Sequence, residues 1–196
     1  MTKVDISGEK SLFLDVQESS EFYFSNESNS EVKLIIRSIG QCELNFYFKE
    51  NNAVSDVKIL FLCDQDLKAK ARIFFSGINN QVRLDVRGIA RGNAKVFFDA
   101  GVDIAPHAEQ TDVYISEKGV IFDKAKINFF PNLQIAQNNV KAGHAASVKN
   151  YREDDLFYLF SRGLNESEAK NLLLEGFLGD FSEYIQIQEI LPHAQR

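Results

Sequence analysis

Few side chains in this sequence could do metal or covalent chemistry, and their spacing argues against an enzyme site. The three histidines, His107, His144 and His193, form no HxH, HxxxH or HExxH pair that would bring two imidazoles to one ion. Cys42 and Cys63 have no CxxC spacing and are too few for a disulfide framework, so they read as reduced, buried thiols. Neither has a histidine beside it, and there is no GxSxG elbow for a serine nucleophile. No glycine-rich loop ends in Lys-Ser or Lys-Thr, so the chain should not hydrolyse ATP itself, and any ATPase it works with would be another polypeptide.

The elements that would have to position such residues fall into two parts. The later part, from Gly143 to Ile185, reads as a short polar crossing followed by two helices. Asn150 and Glu153 have capping-box spacing, which starts a helix near Tyr151, and Gly163 stands where a left-handed cap is wanted. Asn165 and Glu168 repeat the start signal. In the second helix Ala169, Leu172, Leu173, Gly176 and Phe177 form an apolar stripe that continues through Tyr184. Leu174, Leu178, Phe181 and Ile185 make a second row about a hundred degrees away. Two rows are more than one packing partner needs: one should face the protein's own body, and the other is either buried with it or offered to another chain. Gly176 and Gly179, each about 1 kcal/mol worse than Ala inside a helix, suggest close approach of another backbone.

Before the crossing the chain reads as short strands. Val32–Ile36, Leu44–Phe48, Val57–Leu62, Ala71–Phe75, Val82–Val86 and Val96–Phe98 recur at regular intervals, and Thr111–Ile115, Val120–Phe122 and Leu133–Ile135 follow. Leu44, Phe46 and Phe48 alternate with polar residues, as do Val82, Leu84 and Val86, so each of these strands has one buried face. Ser25-Asn26, Asn51-Asn52, Asn79-Asn80 and Gly92-Asn93 supply turns that tolerate left-handed backbone. Periodicity alone admits either an antiparallel sandwich or the stacked turns of a β-helix.

At 196 residues the chain can bury a substantial core without a metal or disulfide staple. Its net charge of −6, with Lys and Arg scattered, argues against a nucleic-acid partner. No apolar run approaches the ~20 residues of a membrane span, and the N-terminus has no signal-peptide pattern, so a cytoplasmic protein is expected.

Several short motifs at fixed distances then carry a resemblance: Gly143-His144-Ala145-Ala146-Ser147-Val148, Asp155-Leu156-Phe157-Tyr158-Leu159, Ser161-Arg162-Gly163-Leu164, Glu168-Ala169 and Glu175-Gly176-Phe177. Together they resemble the C-terminal end of SufB/SufD proteins, scaffold subunits of the Suf iron–sulfur cluster assembly machinery. The resemblance runs from residue 80 to 185 and is densest from 130. It implies a mainly β fold, a right-handed parallel β-helix with a C-terminal helical hairpin, divided as a core over 1–145 and a helical segment over 146–196. It implies a non-catalytic scaffold that docks a SufC-like ABC-type ATPase through the hairpin, with Phe157, Arg162, Phe177 and Phe181 as candidate contacts.

It also implies a second SufB/SufD-type chain, or a second copy, at the open end of the solenoid. His144 matches the histidine that helps hold a transient iron–sulfur cluster, and imidazole suits iron; a structural hydrogen bond at the strand-to-helix crossing is its other reading. Arg162 could equally serve the C-terminal helix dipole. His107, in Ala105-Pro106-His107-Ala108-Glu109, reads as a loop residue. SufB-type members carry a cysteine at the position of Ser116, so this chain is more SufD-like, or has left the cluster chemistry behind as a free-standing interaction solenoid.

Overall fold

Strands pair in parallel with strands one turn further along the chain, so the backbone winds as a two-sided coil. We describe a computed structural model covering residues 1–37, 40–150, 153–186 and 190, with only the backbone of 153–155. The strands are β1 (Thr2–Ile6), β2 (Glu9–Val16), β3 (Ser20–Phe24), β4 (Asn29–Arg37), β5 (Gln41–Phe48), β6 (Val54–Cys63) and β7 (Leu67–Phe75). They continue as β8 (Gln81–Ala90), β9 (Lys95–Ile104), β10 (Asp112–Ile121), β11 (Lys126–Phe129), β12 (Asn132–Ile135) and β13 (Lys141–Asn150). Odd-numbered strands through β11 make one sheet, with β12 also pairing with β9; β2, β4, β6, β8, β10 and β13 make the other. This is the β-helix that the resemblance implies, and the antiparallel sandwich falls away.

Parallel pairing holds because the chain turns the same corner on successive rungs as far as Gln110. Gly8, Glu27, Asn52, Asn79 and Gln110 all have φ between 55° and 66°. The N–H of Glu27 donates to Asn51, that of Asn52 to Ile78 and that of Asn79 to Glu109, each one turn ahead. Asn52 and Asn79 are the left-handed residues their sequence suggested, whereas at Ser25-Asn26 the left-handed place falls to Glu27. Glu9 pairs with Asn29, Asn29 with Val54, Val54 with Gln81 and Gln81 with Asp112. From Glu9 to Asp112 each turn therefore takes in more chain than the one before it, and the last, from Asp112 to Lys141, takes in slightly less.

Between the sheets lies an apolar lumen, stacked residue on like residue. Phe22 stacks on Phe46, and Phe24 on Phe48 at 4.1 Å, with Phe75 beyond. On the other wall Leu12, Val32, Val57, Leu84 and Ile115 follow one another in register, as do Leu14, Leu34, Ile59 and Val86. Val32, Val57, Leu34 and Ile59 are fully buried. Such ladders use the two-residue period of a strand to face one side of every rung inward.

Gly143–Asn150 is not a crossing: it lies within β13, which runs past the 145/146 division and pairs along its whole length with β10. Helices α1 (Glu153–Ser161) and α2 (Glu166–Leu178) follow. The capping box of α2 is present in both directions, with Glu168 N–H on Asn165 Oδ1 at 3.0 Å and Asn165 N–H on Glu168 Oε2 at 2.8 Å. The corresponding box at Asn150 and Glu153 would need the Glu153 side chain, which lies outside the described residues, as does His193. Gly163, at φ 90°, closes α1 as expected, and the Leu164 N–H donates to the Leu159 carbonyl.

Helix α2 stops earlier than its apolar stripe suggests. Gly179 adopts φ 53°, and a 3₁₀ turn over Gly179–Glu183 takes over. The Arg87 guanidinium occupies the space a Cβ at Gly179 would need, whereas nothing lies close to Gly176, so no backbone crowds the helix there. The second apolar row settles on the outer face of the even-numbered sheet. Leu174, Leu178, Phe181 and Ile185 pack with Ile35, Leu60 and Ile89. Burying each of these side chains is worth about 1.5–3 kcal/mol. Arg87 donates to the Phe177 carbonyl and Arg91 to that of Ile190, both at 2.7 Å, and Lys58 pairs with Asp180. No helix among the described residues is long and apolar enough to cross a membrane.

Candidate functional site

The aliphatic ladders of the lumen are broken at the C-terminal end of the coil. In the ladder that runs through Leu84 and Ile115, the next residue is His144; in the neighbouring ladder, Val86 is followed by Glu117 and then Ala146. Two polar side chains thus stand on adjacent rungs where earlier rungs carry only aliphatics. His144 Nε2 lies 2.6 Å from Glu117 Oε2. Glu117 is 1% exposed and His144 keeps partial access to solvent. Burial pushes the Glu117 carboxyl above its ordinary range, and His144 acts in the opposite direction. The other carboxyl oxygen, Oε1, is buried with no hydrogen-bond partner among the described residues. A buried unpaired acceptor costs about 1–3 kcal/mol, more when charged. Folding alone gives no reason to put it there.

Among the described residues no further rung lies over this end of the coil. Leu133 and Ile135 continue the inner ladders above Val102 and Ile104 but are 38% and 44% exposed. Val148 on β13 is 40% exposed. Among the described residues strands β12 and β13 each pair on one side only, leaving two backbone edges unpaired beside an apolar patch.

The donors at this end do not make a complete metal centre. No group of three or more His, Cys, Asp or Glu side chains is gathered to hold an ion among the described residues. Burial pushes the Cys42 thiol up to about 11; burial, with Asp64 beside it, pushes that of Cys63 up to about 12, so both remain protonated thiols. Ser116 pairs with Ala145 while its neighbour Ile115 pairs with His144, which puts Ser116 on the opposite face of the sheet from the imidazole. The chain can offer an imidazole to a cluster, with a carboxylate behind it, and no thiolate. His107 lies in the turn between β9 and β10, beside the last turn of the coil, where Gln137 donates to the Pro106 carbonyl.

The four hairpin candidates separate. Phe157 is 70% exposed on α1, and its neighbours Tyr158 and Phe160 are 60% and 40% exposed. Arg162 is exposed and lies over the Tyr158 ring at 5.3 Å. Phe177 is half-buried at the margin of the packed row. Phe181, by contrast, is 1% exposed inside that row, so as the molecule is folded it presents nothing to a partner. The first row is partly open, with Leu172 47% exposed, and the greasiest accessible face lies on α1. Reading the sequence missed Glu117, although the alternation of Val113, Ile115 and Glu117 marked it as inward-facing. It also missed Tyr158 and Phe160, because a single helix does not reveal which of its faces lacks a neighbour.

A parallel two-sheet coil with unpaired strands at its ends and a helical pair is the class of protein that these features define. Residues 21–177 match the family described as SUF system FeS cluster assembly, SufBD core domain. The chain belongs to the SufBD family. It is 35% identical over 98 residues to an iron–sulfur cluster assembly SufBD family protein of Synechocystis, covering 50% of this chain and 22% of that one. It is 27% identical over 99 residues to the iron–sulfur cluster assembly protein SufD of Escherichia coli, covering 50% and 23%. To Protein ABCI7, chloroplastic, of Arabidopsis thaliana it is 24% identical over 183 residues, covering 88% of this chain and 38% of the relative. The chain therefore spans well under half the length of these relatives.

Proposed function

We propose that this chain is a non-catalytic scaffold subunit of iron–sulfur cluster assembly, joined end to end with a second SufB/SufD-type chain and carrying an ABC-type ATPase on its helical pair. The observation that carries this reading is the His144–Glu117 pair, set at the ends of two otherwise aliphatic ladders of the lumen where the coil is open. A buried polar pair that folding does not need belongs to a task performed at that end.

In this reading the free edges of β12 and β13 extend into the strands of the partner, and Leu133, Ile135 and Val148 are covered in the joint. Covering the three would supply a few kcal/mol at about 1.5–3 kcal/mol for each fully buried side chain. The cluster is cargo held transiently at the joint. His144 provides one ligand, and thiolates come from the other chain, since Ser116 and two protonated cysteines cannot supply them. The ATPase binds the face formed by Phe157, Tyr158 and Phe160, with Arg162 at its edge, an exposed aromatic cluster of the kind enriched at interface hot spots.

Co-purification with a SufC-like ATPase and a SufB-type chain tests the arrangement. Phe157→Asp should release the ATPase and keep the scaffold partner, whereas Ile135→Lys with Val148→Lys should release the scaffold partner and keep the ATPase. Retention of both partners by both variants would overturn the assignment of these surfaces.

A further inference from the structure

We infer that Glu117 is the positioning residue of His144: its carboxylate holds Nε2 and thereby makes Nδ1 the atom that His144 presents to a metal. The inference rests on the reading of His144 as a ligand and assigns the ligating atom and the group that fixes it.

Three observations carry it. Nε2 is engaged by Glu117 Oε2 at 2.6 Å, at the short end for a charge-assisted hydrogen bond. Nδ1 has no hydrogen bond among the described residues and is not one of the buried unpaired atoms, so it is the accessible nitrogen of the ring. The pair is locked by register: Glu117 and His144 sit on directly paired strands, offset by two residues, both facing the lumen, with small Ala146 beside Glu117. An ionised carboxylate only accepts hydrogen bonds, so in the proposed pairing the ring nitrogen that faces it, Nε2, is the one that donates. The Nδ1 lone pair is then free. Metal-bound histidines commonly donate their second N–H to a carboxylate in this way, which fixes the tautomer and raises the basicity of the ligating nitrogen.

Long-range proton–nitrogen NMR of uniformly ¹⁵N-labelled protein, recorded above the ordinary histidine range and assigned with His144→Gln, reads the proton's location directly. In the wild type His144 should carry its proton on Nε2. Glu117→Gln should keep that tautomer, because the amide oxygen still accepts, and Glu117→Leu should give a mixture of both. Titration with Co²⁺, using Zn²⁺ as the diamagnetic control, should broaden the His144 signals. Glu117→Leu should weaken that binding roughly 10- to 100-fold, and Glu117→Gln should weaken it less.

A wild-type ring protonated on Nδ1 would overturn the proposal while leaving His144 available as a ligand through Nε2. So would an unchanged tautomer and cobalt affinity in Glu117→Leu. Cobalt that leaves His144 untouched in a wild type with the expected tautomer would instead remove the ligand reading and leave only the pairing. Should Glu117→Leu fail to fold, the cobalt affinity of Glu117→Gln decides: a value equal to wild type overturns the proposal.

Discussion

The two helices after the coil contain similar apolar material and use it in opposite ways. Helix α2 and its 3₁₀ extension lay Leu174, Leu178, Phe181 and Ile185 on the outer wall of a sheet, where Ile35, Leu60 and Ile89 receive them. Helix α1 leaves Phe157 and Tyr158 largely, and Phe160 partly, in water. The coil repeats the contrast: its middle rungs close over stacked aliphatics and phenylalanines, while its last rung leaves Leu133, Ile135 and Val148 uncovered and carries a histidine on a buried glutamate. The lesson is that hydrophobicity alone does not mark an interaction surface. What marks it is apolar surface for which the fold supplies no neighbour.

The contrast between the helices is broken most directly at Phe181. Phe181→Ala should destabilise the protein by about 3–5 kcal/mol in urea unfolding, as expected for a core phenylalanine. A loss below about 1 kcal/mol would mean that the packed row is not a core.

Replacing the polar pair by its ladder neighbours comes next. Glu117→Val combined with His144→Leu restores an aliphatic lumen, and stability should stay level or rise by about 1–4 kcal/mol, while cobalt binding at this end is lost. A fall of several kcal/mol would make the pair a structural device and not a functional one.

Phe157→Asp should change stability by no more than about 0.5 kcal/mol, because the side chain is in water already, yet weaken ATPase binding by about 2 kcal/mol or more. Equal binding by variant and wild type, measured by calorimetry, would move the docking face elsewhere.

The smallest effect belongs to the ion pairs between the 3₁₀ turn at Gly179–Glu183 and the sheet beneath it. A hydrogen bond from Lys58 holds the Asp180 carboxyl below its ordinary range, and Lys58 does the same to Glu31. A depressed carboxylate contributes stability that is present above its unfolded pKa and is lost as pH falls through the folded one. Stability should therefore decline on the acid side of the ordinary carboxylate range. Asp180→Asn should cost under about 1 kcal/mol at neutral pH, since Asp180 is half exposed, and should flatten that decline. An identical acid limb in variant and wild type would show that this bridge contributes nothing.

Much of this was legible in the residues themselves. Alternation in Leu44–Phe48 and Val82–Val86 marked inward faces, Asn52 and Asn79 marked the corners, and Asn165 with Glu168 marked the start of α2. These are local matters, decided by side-chain period and backbone preference over a few positions. Three features were decided by contacts between distant segments. The Gly143–Asn150 stretch became a strand because β10 offers it a complete parallel edge, although its own residues are small and polar. Helix α2 ended at Leu178 because Gly179 turns beside Arg87, ninety-odd positions earlier. Glu117 became the partner of His144 only when the coil set their strands side by side in register. Sequence determines which face of a segment seeks cover; whether cover is found depends on which neighbour the winding of the chain delivers, and pairing between remote strands leaves no trace in either strand taken alone.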